Sequence, residues 1–238
     1  AKIRLDDSGN PVSVEIAPRR TANRMIEEFM LAANETVARH FAFLQVPFLY
    51  RVHEKPDAAK LAELRTFLRT FGISLSVNAD RVRPKALANI LEEIKGTSYE
   101  NVVSTVLLRS MQKAVYDTEC RGHFGLSLKY YCHFTSPIRR YPDLMIHRII
   151  KETMRNFPGK ERIQKLTQKA EKAAALSSEN ERKAVELERD VEKLKKAEYL
   201  ARHIGEEFDG IISGVTGYGL YVQLENTIEG LVRIETIQ

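Results

Sequence analysis

Pro137 and Pro142, in the stretch HFTSPIRRYPDLMIHR (133–148), limit the fold more than any other feature of the chain. A proline removes a backbone donor and clashes with the preceding turn, so one helix cannot run through both. Proline is accepted in the first turn of a helix, where the donor is not needed. The spacing therefore predicts a short turn over 136–141, capped by Thr135 or Ser136. A second start follows at Pro142, with a helix over 142–155 whose Leu144, Ile146, Ile149 and Ile150 supply apolar contacts. Both starts leave unpaired backbone N–H groups, which favour anions. Arg139 and Arg140 sit among them, and a guanidinium can hold a phosphate through two parallel hydrogen bonds. Taken alone, the local pattern favours ordinary surface charge at a helix start.

The rest of the chain reads as helices with short strands. AKIRL, DDSGN and PVSVEI suggest strand, turn and strand, with Asp6, Asp7, Gly9 and Asn10 as turn residues rather than metal ligands. A helix is expected over 21–44, where Ile26, Phe29, Met30, Ala33, Val37 and Phe41 form an apolar stripe. Glu27 and Asn34 fall on the shoulder of that stripe. FLYRVHE (48–54) is strand-like. Helices are expected over about 57–71, 84–95 and 99–113, the first two closed by Gly72 and Gly96. SLSV (74–77), KAVYD and FGLSLKYYCHF (124–134) read as strands.

Residues 159–204 are helical and laced with charge. Ser178 and Glu181 have capping-box spacing, which predicts a new helix from about 179 with Ala184, Leu187, Val191 and Leu194 as its apolar stripe and Glu188 beside it. At 205 the texture changes to glycine-rich, alternating segments, the pattern of a β meander. A boundary is expected near 200–206, giving a domain over 1–203 and a partial one over 204–238.

Composition removes several classes. With 43% hydrophobic and 29% charged residues the chain is not a disordered polyelectrolyte. Its net charge of +5 favours polyanionic partners such as nucleic acid. It has no apolar run long enough to span a membrane, and its first residues lack a signal-peptide pattern. Cys120 and Cys132 make no disulfide framework, which fits a cytoplasmic location. Zinc held by Cys120, His123, Cys132 and His133 is disfavoured, because the second pair is adjacent and would point to opposite faces of a strand.

GHFGLSLKYYCHFTSPIRRYPDLMIHR strongly resembles the signature block of the RNB family of exoribonucleases, which includes ribonucleases R and II. PRRTANRMIEEFMLAANETVA and NERKAVELERDVEKLKKAEY resemble two further blocks in the same order. GEEFDGIISGVTGYGLYVQLENTIEGLVRI resembles the opening of the S1-type OB-fold module that follows them. The resemblance implies an α+β fold: a helix-rich part of the RNB catalytic domain with antiparallel strands, then the first strands of an OB barrel. It also implies hydrolysis of RNA from the 3′ end to nucleoside monophosphates, helped by magnesium on an aspartate cluster. In the family that cluster lies upstream of these blocks, and Asp6, Asp7 and Asp143 do not match it. The expectation is that this chain binds no magnesium itself, is inactive alone, and has the preceding half of the catalytic domain as a partner, besides single-stranded RNA.

Residue by residue, Arg139 matches the family arginine that holds a phosphate near the scissile bond, and Arg140 matches a supporting basic position. Glu27 and Glu188 match glutamates at the terminal-nucleotide end of the RNA channel, where they could accept from ribose hydroxyls. Tyr218 and Tyr221 match base-stacking aromatics. Arg233 stands where the family often has histidine, and it too is expected to face RNA.

Overall fold

The computed structural model describes residues 2–15, 20–75 and 82–237. They fall into two compact units: 21–95 with 103–182, and 1–20 with 96–102 and 183–238.

In the larger unit, α1 spans Thr21–Leu44 as expected, but its buried face is Asn34, Ala38 and Phe41. Ile26, Phe29 and Met30, from the N-terminal half of the expected stripe, are exposed. The helix is therefore oriented by a polar residue that the periodicity left on the shoulder. The chain then forms β3 (Tyr50–Val52) and α2 (Ala58–Arg69). The Asp57 side chain accepts from the Lys60 N–H at 2.9 Å and caps α2, a contribution of about 1 kcal/mol. α3 (Pro84–Glu93) starts on proline, α4 spans Glu100–Ser110, and β4 spans Val115–Asp117. The strand expected from SLSV does not begin at Ser74 or Leu75, and its remainder lies outside the described residues.

β3 and β4 pair antiparallel, with Arg51 directly opposite Tyr116. Phe41 stacks on Phe48 with ring centroids 4.6 Å apart. Around this pair, Leu49, Val52, Cys132, Ile146, Ile149, Leu166 and Ala170 complete one apolar core.

FGLSLKYYCHF does not form the expected strands. Phe124–Leu126 is a single 3-10 turn, and Ser127 takes a left-handed conformation with φ 56°. That reversal ends any extended run, leaving only isolated bridges at His123. After it come α5 (Tyr141–Arg155) and α6 (Lys160–Leu200).

α6 runs unbroken through the point where a new helix was expected. The Ser178 hydroxyl donates back to the Ala174 carbonyl oxygen at 2.8 Å. It also accepts from the Tyr116 N–H at 2.9 Å, while Glu181 binds Arg51. Both residues of the supposed capping box are thus engaged outside the helix, and no helix end is needed to use them. Leu187, Val191 and Leu194, expected as an apolar stripe, are exposed.

In the other unit, β1 (Lys2–Leu5) and β2 (Pro11–Glu15) form an antiparallel hairpin. The Asp6 carboxylate accepts from the Ser8 and Asn10 N–H groups at 3.0 and 2.8 Å, which closes the turn. Further on, β5 (Gly210–Thr216), β6 (Gly219–Leu224) and β7 (Glu229–Arg233) form an antiparallel sheet in that order. At Gly219 a Cβ would overlap the Val232 carbonyl oxygen, so only glycine lets β6 approach β7 there.

Candidate nucleic-acid interface

The arginine turn is closed by backbone. The Ser136 carbonyl oxygen accepts from the N–H groups of Arg139 and Arg140 at 3.3 and 3.1 Å. Its rigidity comes from Asp143, in the first turn of α5 and fully buried. The Asp143 carboxylate accepts from the Ser136 N–H at 2.8 Å and from Arg140 Nε and Nη2 at 2.9 and 2.8 Å. A carboxylate at a helix N-terminus is further favoured by the helix dipole. Arg140 is thereby committed to bracing the turn. Arg139 is exposed, and among the described residues its side chain makes no hydrogen bond or ion pair.

The segment leading into the turn is held by one backbone bond from β3 and otherwise mainly by side chains. The Tyr131 carbonyl oxygen accepts from the Arg51 N–H at 2.9 Å. The Cys132 thiol donates to the Asn34 carbonyl oxygen at 3.2 Å. His133 Nδ1 is 2.9 Å from the Tyr116 hydroxyl. The Phe134 N–H donates to the Asn34 side-chain oxygen at 2.9 Å, and His147 Nε2 donates to the Phe134 carbonyl oxygen at 2.9 Å. Asn34 also donates to the Tyr131 hydroxyl at 3.3 Å.

Burial, aided by the nearby charges of Arg140 and Arg51, pulls the His133 pKa down to about 2, so its imidazole stays neutral. His123 is pulled down to about 4, first by burial and then by His53 and Arg51. Burial pushes the Tyr116 hydroxyl up to about 12. The segment is thus a neutral polar scaffold flanked by the Arg51–Glu181 and Arg140–Asp143 ion pairs.

Arg51 is the second organising group. Its guanidinium lies 4.6 Å over the Tyr116 ring and grips both Glu181 oxygens at 2.6 and 3.0 Å. Glu181 and Glu188 are seven residues apart on the unbroken α6, hence on nearly the same face and about 10 Å apart along the axis. Glu188 is exposed. Glu27 is half-buried, and it likewise stands seven residues before Asn34 on α1, on the face that meets residues 131–134. The larger unit thus places Glu27 on the helix face that anchors the arginine segment; Glu188 belongs to the other unit.

On the β5–β7 sheet, Gly219 pairs with Arg233 and Tyr221 with Leu231, so Tyr221 and Arg233 share a face. Tyr218 is exposed, and its hydroxyl is 3.1 Å from that of Tyr221.

No three of His, Cys, Asp or Glu among the described residues are grouped to hold a metal ion. Magnesium therefore does not fit the residues described here, and Asp143 is already used by Ser136 and Arg140.

Sequence reasoning missed Asn34, Tyr116, His133 and Asp143 as organisers. The available signal was the seven-residue spacing of Glu27 and Asn34, which put a polar amide on a helix shoulder.

The RNB domain family matches residues 1–156. The chain belongs to the RNB family. Beyond that domain, the S1 RNA binding domain matches residues 203–238, where the three-stranded sheet lies. The chain is 48% identical over 238 residues to Ribonuclease R 1 of Lactococcus lactis subsp. lactis, covering 100% of this chain and 29% of that protein. Its fold is similar to that of Mycoplasma genitalium RNase R in complex with ribose methylated single-stranded RNA, at TM-score 0.91 and 32% identity, covering 99% of this chain and 37% of that one. It is also similar to yeast Ssd1, described as a pseudonuclease, at TM-score 0.74 and 25% identity, covering 93% and 28%. The chain thus spans about a third of the length of these RNB relatives. Its fold is a helix-rich part of an RNB domain followed by OB-type strands.

Proposed function

We propose that this chain is part of a hydrolytic 3′-to-5′ exoribonuclease that releases nucleoside monophosphates. The observation that carries the reading is the contrast between two adjacent arginines. Arg140 is locked to Asp143, while Arg139 projects from the same braced turn with its fork unused. A guanidinium carried on a fixed backbone, with no protein partner of its own, can grip a phosphodiester oxygen and stabilise the charge that develops on phosphorus. Its similarity to an RNase R bound to single-stranded RNA supports RNA as that phosphodiester.

In this reading Glu27 and Glu188 each accept a hydrogen bond from a ribose hydroxyl, which distinguishes RNA from DNA. Tyr218 and Tyr221 stack bases and Arg233 contacts the backbone. Arg140 supports Arg139 indirectly, by fixing the turn. Magnesium would be held by residues other than those described here and would supply an activated water and charge neutralisation, so the 238 residues alone should be inactive. The unbridged thiols of Cys120 and Cys132 support a reducing compartment such as the cytoplasm.

The test is single-turnover cleavage by the full-length protein. Arg139→Ala should lower the rate about 10²–10³-fold, with little loss of RNA affinity. Arg139→Lys should also be poor, because an ammonium does not copy the planar fork. Strong loss of binding with intact cleavage would refute the assigned role. A second reading, a non-catalytic RNA-binding scaffold, is favoured by the similarity to the Ssd1 pseudonuclease. Full-length protein that binds RNA yet releases no nucleotide in magnesium would establish it.

A further inference from the structure

Between α5 and α6 of the larger unit lies an open groove of about 530 Å3 that has no part in the arginine site described above. Three of its lining residues, Arg148, Lys169 and Lys172, are exposed. None of the three makes a direct hydrogen bond or ion pair among the described residues. The acid in the groove, Glu152, is held by Arg162 Nε and Nη2 at 2.5 and 2.7 Å; it makes no direct ion pair with the three, though it lies near enough to Lys169 to feel its charge. An adjoining groove shares Arg148 and adds the exposed Lys151 and Arg155.

The floor decides what such a groove can hold. Met145, Ile149, Leu166 and Ala173 are already buried by the fold. Only Leu176 and Tyr141, at 47% and 52% exposure, offer much apolar surface. A polypeptide segment would therefore gain little from burial here, since hydrophobic gain follows the area removed from water. Attraction must come mainly from charge, and the charge left without a direct partner is all of one sign. The cations recur along both helices, at 148, 151 and 155 on α5 and at 162, 169 and 172 on α6, the last three with Arg162 already paired. Two rails of cations with one exposed aromatic ring suit a flexible polyanion that carries bases.

We propose that this groove is an auxiliary track for single-stranded RNA, holding its phosphate backbone without regard to sequence. Arg148, Lys169 and Lys172 contact phosphates, and Tyr141, at the α5 start just past the arginine turn, stacks a base. The inference rests on the RNA-binding reading above and adds a second contact region to it.

The test is the salt dependence of binding of a fluorescein-labelled oligouridylate to the 238-residue chain. For single strands, log K falls with log salt with a slope of about −0.7 per phosphate neutralised. A triple variant with Arg148, Lys169 and Lys172 changed to Gln should flatten the slope by about 2 and weaken binding at least tenfold at about 0.1 M salt. Tyr141→Ala should weaken binding several-fold while leaving the slope unchanged. These side chains are exposed, so a matched melting curve verifies the fold of each variant. An unchanged slope in the triple variant overturns the track but leaves the Arg139 reading standing. If the unsubstituted chain shows no RNA affinity, the track falls, whereas the Arg139 reading falls only on the full-length cleavage test above. If polyglutamate of matched length binds as tightly as the RNA and is lost to the same extent in the triple variant, the groove takes acidic polypeptide instead and the proposal is overturned.

Discussion

Asn34 and Phe134 are a hundred residues apart in sequence, yet the Asn34 side-chain oxygen takes the Phe134 N–H at 2.9 Å in the interior of the larger unit. The same side chain holds the Tyr131 hydroxyl, and its backbone oxygen takes the Cys132 thiol. One buried amide thus fixes both α1 and the approach to the arginine turn.

Asn34→Ala should be costly because it leaves the Phe134 N–H without its partner inside the protein. An unsatisfied buried donor costs about 1–3 kcal/mol, and the lost packing adds to it. Urea unfolding should show a loss of about 2–4 kcal/mol; a loss under about 0.5 kcal/mol would show that the amide is not the anchor.

Asp143 and Arg140 should behave as one unit. Asp143→Ala leaves a largely buried guanidinium unpaired, a cost of about 3 kcal/mol or more. Arg140→Met alone leaves the carboxylate with only the Ser136 N–H. The double variant should be much less destabilised than the sum of the singles, since the second change removes the charge stranded by the first. Additive losses in the cycle would mean the two side chains act separately.

Arg51 should resist conservative replacement. Its planar fork both spans Glu181 and covers the Tyr116 ring. Arg51→Lys retains charge but loses both geometries, and the expected cost is about 1–2 kcal/mol. Thermal melts of Arg51→Lys and Glu181→Gln, singly and together, check this: indistinguishable melting of Arg51→Lys and the parent chain would refute it.

Acid should destabilise the larger unit through its histidines. His133 and His123 are held neutral in the folded state, with pKa values near 2 and 4 against an ordinary 6.5. Between those folded values and 6.5 the unfolded chain binds more protons, so stability rises with pH across that window and is lost as pH falls below 6.5. The His123 contribution levels off below about pH 4, whereas that of His133 continues to fall. His133→Asn should flatten the dependence of unfolding free energy on pH from 6.5 downward, and an unaltered slope would exclude this histidine as its source.

Much of the helical layout was legible because helices declare themselves locally. The period of 21–44 and the closing glycines Gly72 and Gly96, both in the left-handed region, each act within a few positions. The arginine turn was also legible, since two prolines restrict it. What was not legible was whatever a distant partner decides. Ser178 and Glu181 have the spacing of a helix start, but Tyr116 and Arg51 engage them and α6 continues. YYCHF has the composition of a strand, but Asn34 and His147 satisfy the backbone N–H and carbonyl oxygen of Phe134 that a neighbouring strand would have taken. Asp143 carried no motif signal, because its role is to bind residues three and seven positions earlier in a turn whose path depends on it.

That manner of holding residues 131–136 has a consequence for how the molecule matures. A sheet edge can zip up from its own hairpin, but this segment waits for α1, β3, β4 and α5 to be in place, with ties reaching back as far as a hundred residues. Contacts of such long sequence separation form late, after the loop-closure entropy has been met. The arginine turn itself closes locally on Ser136 and Asp143, so the late step should be the seating of residues 131–134 on α1 and β4. Until then a nascent or damaged chain would carry the turn without the approach that sets its place in the unit.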